Sequence, residues 1–127
     1  MSLKKVLLVG AGNIARTHAA ALKETPGVSL YGVFDAHPAT AKALARDFSI
    51  SNVFDSLEQA AASDADAVHV LTPPDLHLST AMPFVKAGKT VLLEKPLGVS
   101  SAECDALRQA AAASGAIVGV NQNFVFN

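Results

Sequence analysis

Short apolar runs recur along the chain, and between them apolar residues return at helical spacing. The first run, Val6-Leu7-Leu8-Val9, is followed at 13–24 by a helical pattern that Pro26-Gly27 ends. A second run covers 28–34, followed by a helix over 39–48 and a short strand at 50–54. Asp55-Ser56 opens a capped helix reaching Ala62. Residues 66–71 read as a buried strand, closed by Thr72-Pro73-Pro74. Asp75 then caps a helix over 75–86 that stops at Gly88. A fifth strand at 90–93, an Ala-rich helix at 100–114 and a sixth strand at 116–120 complete the alternation. Strands that are apolar almost throughout must be covered on both faces, which is the situation of a parallel sheet. Right-handed crossovers then make the fold doubly wound, an α/β architecture with helices on both faces of six strands. Residues 1–120 are expected to form this domain and 121–127 to begin a connection out of it.

The first strand breaks into Gly10-Ala11-Gly12-Asn13-Ile14-Ala15. Gly10 allows a tight turn, Gly12 allows a pyrophosphate close to the backbone, and Ala15 lets the helix pack on its strand. The unpaired N–H groups and positive dipole end of that helix attract an anion. Asp35 closes the second strand about 20 residues on, where a carboxylate accepts hydrogen bonds from an adenine-ribose hydroxyl. Taken alone, the glycines fit any tight strand-to-helix turn, and Asp35 could merely cap the helix that begins near Pro38. Together at this distance they make a Rossmann dinucleotide fingerprint, with Gly10, Gly12, Asn13, Ile14 and Asp35 as cofactor contacts. A carboxylate repels a 2′-phosphate, and no Lys or Arg follows Asp35 closely, since Ala36, His37 and Pro38 come next. NAD is therefore favoured over NADP.

A net charge of −1 gives no electrostatic case for nucleic acid or an anionic membrane. Lys4-Lys5 ahead of apolar residues imitates a signal peptide, but Arg16 and His18 interrupt the apolar stretch too early. No run approaches the length of a transmembrane helix. Cys104 is the single cysteine, read as packing within a helix, so no disulfide framework arises and a cytoplasmic location fits. The four histidines show no metal-ligand spacing, and no metal is expected. His69, flanked by Val68 and Val70, reads as a buried, hydrogen-bonded core histidine. His37 is placed near the adenine.

In a doubly wound sheet ligands bind at the carboxyl ends of the strands. There the sequence sets Gly10 to Asn13, Asp35, Leu71 and Thr72 to His77, Glu94-Lys95-Pro96 and Asn121-Gln122-Asn123. Turns and caps account for Pro73, Pro74 and Asp75 without any ligand. They account less well for a charged pair, Glu94-Lys95, placed directly after a buried strand.

Thr72-Pro73-Pro74-Asp75-Leu76-His77 with Ala87-Gly88-Lys89-Thr90-Val91-Leu92-Leu93-Glu94-Lys95-Pro96-Leu97 resembles the glucose–fructose oxidoreductase/inositol dehydrogenase/rhizopine-catabolism (Gfo/Idh/MocA) family. The resemblance runs over nearly the whole chain. Pro74 departs from it, standing where an Asn is frequent, and so does Asn123, near a frequent Arg. The resemblance implies an NAD-dependent dehydrogenase acting on a sugar, polyol or related hydroxyl compound, as a homo-oligomer. It implies that Lys95 assists proton transfer as the catalytic residue, and that Glu94 holds the nicotinamide ribose with Pro96 shaping the turn. It further implies that Leu71, Thr72, Pro73, Pro74, His77 and Asn121 line the nicotinamide wall. Members of the family continue into an α/β domain that carries the substrate pocket and a general acid/base histidine. The expectation is that these residues are the cofactor-binding portion of such an enzyme, inactive alone, with Phe124 and Phe126 left partly uncovered. A non-catalytic nucleotide module, such as a redox sensor or a CoA-binding domain, is the alternative, and it would need no proton-relay lysine.

Overall fold

The structure, a computed structural model, describes residues 3–72, 76–93, 101–120 and 124–126. Seven strands form one sheet: β1 (Lys4–Val9), β2 (Val28–Phe34), β3 (Asn52–Val53), β4 (Ala67–Val70), β5 (Thr90–Leu93), β6 (Ile117–Val120) and β7 (Phe124–Phe126). Five helices connect them: α1 (Asn13–Lys23), α2 (Pro38–Phe48), α3 (Leu57–Ala62), α4 (His77–Lys86) and α5 (Ser101–Ser114). The strand order is β3-β2-β1-β4-β5-β6-β7. The first six strands are all parallel, as the apolar runs predict. The order reverses direction between β1 and β4, so the loops after these two strands part there and leave a crevice at their carboxyl ends.

The core follows from the two-residue alternation of the strands. Leu7 and Val9 point to one face, joining Val68, Val70, Val91, Leu93 and Val118 beneath Phe84 and Val85 of α4 and Leu107 of α5. Leu8 points to the other, joining Val33 beneath Ala15 and Ala19 of α1 and Leu44 of α2. The two alanines are fully buried and let α1 lie close to the sheet, which fixes where its first turn begins. Complete burial of Phe84, Leu7, Leu8, Leu44, Leu93 and Leu107 supplies about 1.5–3 kcal/mol each in transfer free energy.

The boundaries of β3 and α4 differ from expectation, and that of α3 agrees with it. β3 is only Asn52–Val53, because the α2 C-cap Ser49 turns left-handed (φ 57°) and the Ile50 N–H donates to Ala45 O at 2.9 Å. That bond commits the Ile50 N–H to the helix end, not to the sheet. The cap of α3 is Ser56, whose Oγ accepts the Gln59 N–H at 3.1 Å. α4 begins at His77, with Leu76 in the cap position, and the anticipated cap Asp75 lies outside the described residues.

The seventh strand is an addition to the expected six. Phe124–Phe126 pairs antiparallel with β6, Val120 opposite Phe124 and Val118 opposite Phe126. The sequence places residues 121–127 on the way out of the sheet, and the hairpin return to its edge left no readable turn signal. The side chains of Phe124 and Phe126 lie outside the described residues.

Candidate functional site

The turn after β1 is built around Gly10. Its φ is +101°, and a Cβ there would lie 3.1 Å from Leu71 C, 3.2 Å from Leu71 O and 3.3 Å from Thr72 N. Only glycine fits both constraints, so the ends of β1 and β4 are in backbone contact. The Gly10 N–H donates to Phe34 O at 2.8 Å and the Leu71 N–H to Val9 O at 2.8 Å, extending the sheet to the rim of the crevice. Gly12 is different: it is the N-cap of α1, and a Cβ on it would meet no heavy atom within 4 Å. Its side is open space above the first turn of α1. Asn13 and Ile14 follow on the exposed surface of that turn, Ile14 being 44% exposed.

Asp35 ties this loop to the end of β2. Its Oδ2 accepts the Ala11 N–H at 2.7 Å and its Oδ1 accepts the His37 N–H at 2.8 Å. The Asp35 side chain is 16% exposed, and His37 Nδ1 stands 3.5 Å from the same Oδ1. With one backbone N–H on each oxygen, the carboxylate is fixed in orientation and keeps lone pairs for a ligand hydroxyl.

A cavity of about 480 Å³ opens beside these residues, within the range of ligand sites. Gly10, Asp35 and Thr72, three of the sequence-predicted residues, line it together with Val9, Phe34, Ala36, His37, Leu57, Leu76, Ser79 and Thr80. Thr72 Oγ1 is buried and has no hydrogen-bond partner among the described residues. An unpaired buried hydroxyl is costly, and a ligand reaching it would relieve that cost. Gly12, Asn13 and Ile14 form the α1 terminus and are absent from the cavity lining, and Leu71 contributes backbone against Gly10. Pro73, Pro74, Glu94, Lys95, Pro96 and Asn121 lie outside the described residues, as does the side chain of His77.

Sequence reasoning missed Leu57, Ser79 and Thr80, which come from α3 and α4. Leu76, apolar yet 45% exposed in the cap position of α4, lines the same cavity. His37 lines the cavity. His69 is half-buried, with His18 Nδ1 3.1 Å from its Nδ1 and the rings edge to face, so it belongs to the sheet and not to the crevice. Cys104 is half-buried in α5. Among the described residues no group of three His, Cys, Asp or Glu is placed to hold a metal ion, and no helix is long and apolar enough to cross a membrane.

A glycine turn pinned against a neighbouring strand, an open helix N-terminus and an acid at the end of β2 define a dinucleotide-binding domain. The comparisons with known proteins agree. The chain matches, over residues 4–122, the model of the GFO_IDH_MocA oxidoreductase family, NAD-binding Rossmann fold, and it belongs to that family. It is 35% identical over 120 residues to inositol 2-dehydrogenase of Rhizobium meliloti (strain 1021), covering 92% of this chain and 36% of that protein. It is 30% identical over 112 residues to glucose-6-phosphate 3-dehydrogenase of Bacillus subtilis (strain 168), covering 86% of this chain and 31% of that one. The crystal structure of GenD2 from gentamicin A biosynthesis in complex with NAD superposes with a TM-score of 0.88 at 33% identity, covering 98% of this chain and 36% of that chain. The chain thus spans about a third of the length of the relatives it matches, and within them it corresponds to the NAD-binding domain.

Proposed function

We propose that this domain holds NAD for an oxidoreductase that oxidises a hydroxyl group of a sugar, polyol or related compound. The observation that carries the reading is the Asp35 carboxylate, oriented by the Ala11 N–H of the glycine loop and lining the crevice where the strand order reverses. The cofactor, when bound, accepts a hydride from the carbinol carbon. The residues of this chain then have separable tasks. The N-terminal amides of α1 and the open side of Gly12 receive the pyrophosphate. Asp35 receives the adenine-ribose hydroxyls, and the Thr72 hydroxyl gains the partner it lacks. Glu94 holds the nicotinamide ribose, with Pro73, Pro74, His77, Pro96 and Asn121 around the nicotinamide. Lys95 takes up the hydroxyl proton or stabilises the developing alkoxide, an interaction strongest in the transition state. The family motif supports these assignments, and inositol and hexose phosphate in the names of two relatives support a polyhydroxylated substrate. A cytoplasmic homo-oligomer is the setting this reading favours.

Calorimetric titration of NAD and NADP into wild type and Asp35→Ala tests it. NAD should bind at least about tenfold tighter than NADP to the wild type, since a 2′-phosphate beside Asp35 places two like charges in contact. Asp35→Ala should narrow that ratio. Equal binding of the two cofactors to wild type, with no change in the variant, would refute the reading.

A further inference from the structure

The carboxylate that meets the adenine ribose is not isolated. His37 approaches it in two ways: its backbone N–H donates to Asp35 Oδ1 at 2.8 Å, and its ring Nδ1 lies 3.5 Å from the same oxygen. The two side chains differ sharply in environment, Asp35 being 16% exposed and His37 86% exposed at the mouth of the cavity. Among the described lining residues these are the only titratable groups: β1, α3 and α4 contribute apolar, glycine and hydroxyl residues there. The charged residues nearby in sequence lie elsewhere. Arg16 of α1 is bonded to Asp47 at 2.9 Å, and Lys42 and Arg46 of α2 and Glu58 of α3 are absent from the cavity wall. Among the described lining residues, the charge at the cavity is therefore set by one carboxylate and one imidazole.

We infer that the Asp35–His37 pair, and not Asp35 alone, sets the choice between NAD and NADP, and that the choice depends on pH. The inference rests on the proposed cofactor site. Histidine is the side chain whose charge changes between pH 5 and 8. With a neutral imidazole, Asp35 presents a full negative charge, which repels a 2′-phosphate and accepts a 2′-hydroxyl. With an imidazolium on Oδ1, the pair is neutral overall and offers N–H donors beside the ribose. The penalty against the phosphate then falls, while binding of the uncharged hydroxyl changes little. The His37 N–H bond fixes the backbone beside the carboxylate, and the ring Nδ1 already stands 3.5 Å from Oδ1, within ion-pair distance.

The test is the ratio of NADP to NAD dissociation constants from pH 5.5 to 8, measured by calorimetry on wild type, His37→Gln and His37→Arg. The 2′-phosphate itself gains a proton near pH 6, and His37→Gln records that contribution alone. The wild-type ratio should fall on acidification by about threefold more than that of His37→Gln, the size of an exposed charge pair. His37→Arg should show the lowered ratio even at pH 8. Wild-type and His37→Gln ratios that coincide at every pH, with NAD bound normally, would overturn the role of His37 and leave the cofactor site standing. Absence of NAD binding by all three proteins would overturn the site and this inference with it.

Discussion

Two glycines two positions apart carry different burdens, and substitution separates them. At Gly10 an alanine suffers both the positive φ and backbone atoms of Leu71 and Thr72 at 3.1–3.3 Å. Gly10→Ala should lower stability by at least about 1–2 kcal/mol, the cost of a left-handed L-residue before any clash is added, and urea denaturation would show it. At Gly12 the backbone is extended and the added methyl meets nothing within 4 Å. Gly12→Ala should therefore unfold at the wild-type urea midpoint yet bind NAD at least about tenfold more weakly, because the methyl occupies the side from which the pyrophosphate approaches. Weakened folding with intact NAD binding would contradict that division. The proposed role of Lys95 is tested at the same scale: where dehydrogenase activity is measurable, Lys95→Ala should lower kcat by at least about a hundredfold while the NAD dissociation constant stays within about twofold. The glycines and Asp35 were legible in the sequence because backbone freedom and a fixed spacing leave few other residue types possible. His37 was placed near the cofactor, but its bond to Asp35 was not visible, since proximity to a neighbour two residues away depends on how β2 ends.

Polar contacts outside the cavity lining tie the elements together. Opposite the crevice, Lys89 Nζ donates to Ser63 O at 2.9 Å and Ala65 O at 2.7 Å, joining the start of β5 to the loop before β4. Burial pulls the Lys89 ammonium below its ordinary value, and the charges of Asp66 and Asp64 oppose the shift. Lys89→Met leaves both carbonyls without that donor and should cost about 1–3 kcal/mol in urea denaturation, with NAD affinity unchanged. Ser56→Ala removes the cap of α3, the helix that brings Leu57 to the cavity, and should cost about 1 kcal/mol. Between α1 and α2, hydrogen bonding from Arg16 holds the Asp47 carboxyl below its usual value, against a smaller opposing effect of desolvation. A carboxylate depressed in this way stabilises the fold above its unfolded pKa and loses that contribution as pH falls through the folded one. Arg16→Ala should consequently flatten part of the fall in melting temperature below about pH 4. The order of strands and helices was readable because their apolar periods differ so plainly. β3 shrank because a left-handed cap consumed the Ile50 N–H, and β7 went unseen because edge pairing of a three-residue strand leaves no period to detect.

At the scale of the whole chain, a sheet covered by helices delivers one rim of strand ends to one crevice, and the cofactor chemistry collects there. The 127 residues alone should reduce NAD with polyols or sugars at no measurable rate, since holding a substrate against the cofactor is worth about 7–11 kcal/mol of the barrier and the relatives are about three times as long. The central claim is the location of NAD itself. Backbone amide NMR shifts followed during an NAD titration test it most directly. Saturable shifts should concentrate at Gly10 to Ile14, Asp35 to His37 and Thr72, while Ser63, Ala65 and Lys89 at the opposite rim stay in place. Shifts centred on that opposite rim, or none at saturating NAD, would contradict the account.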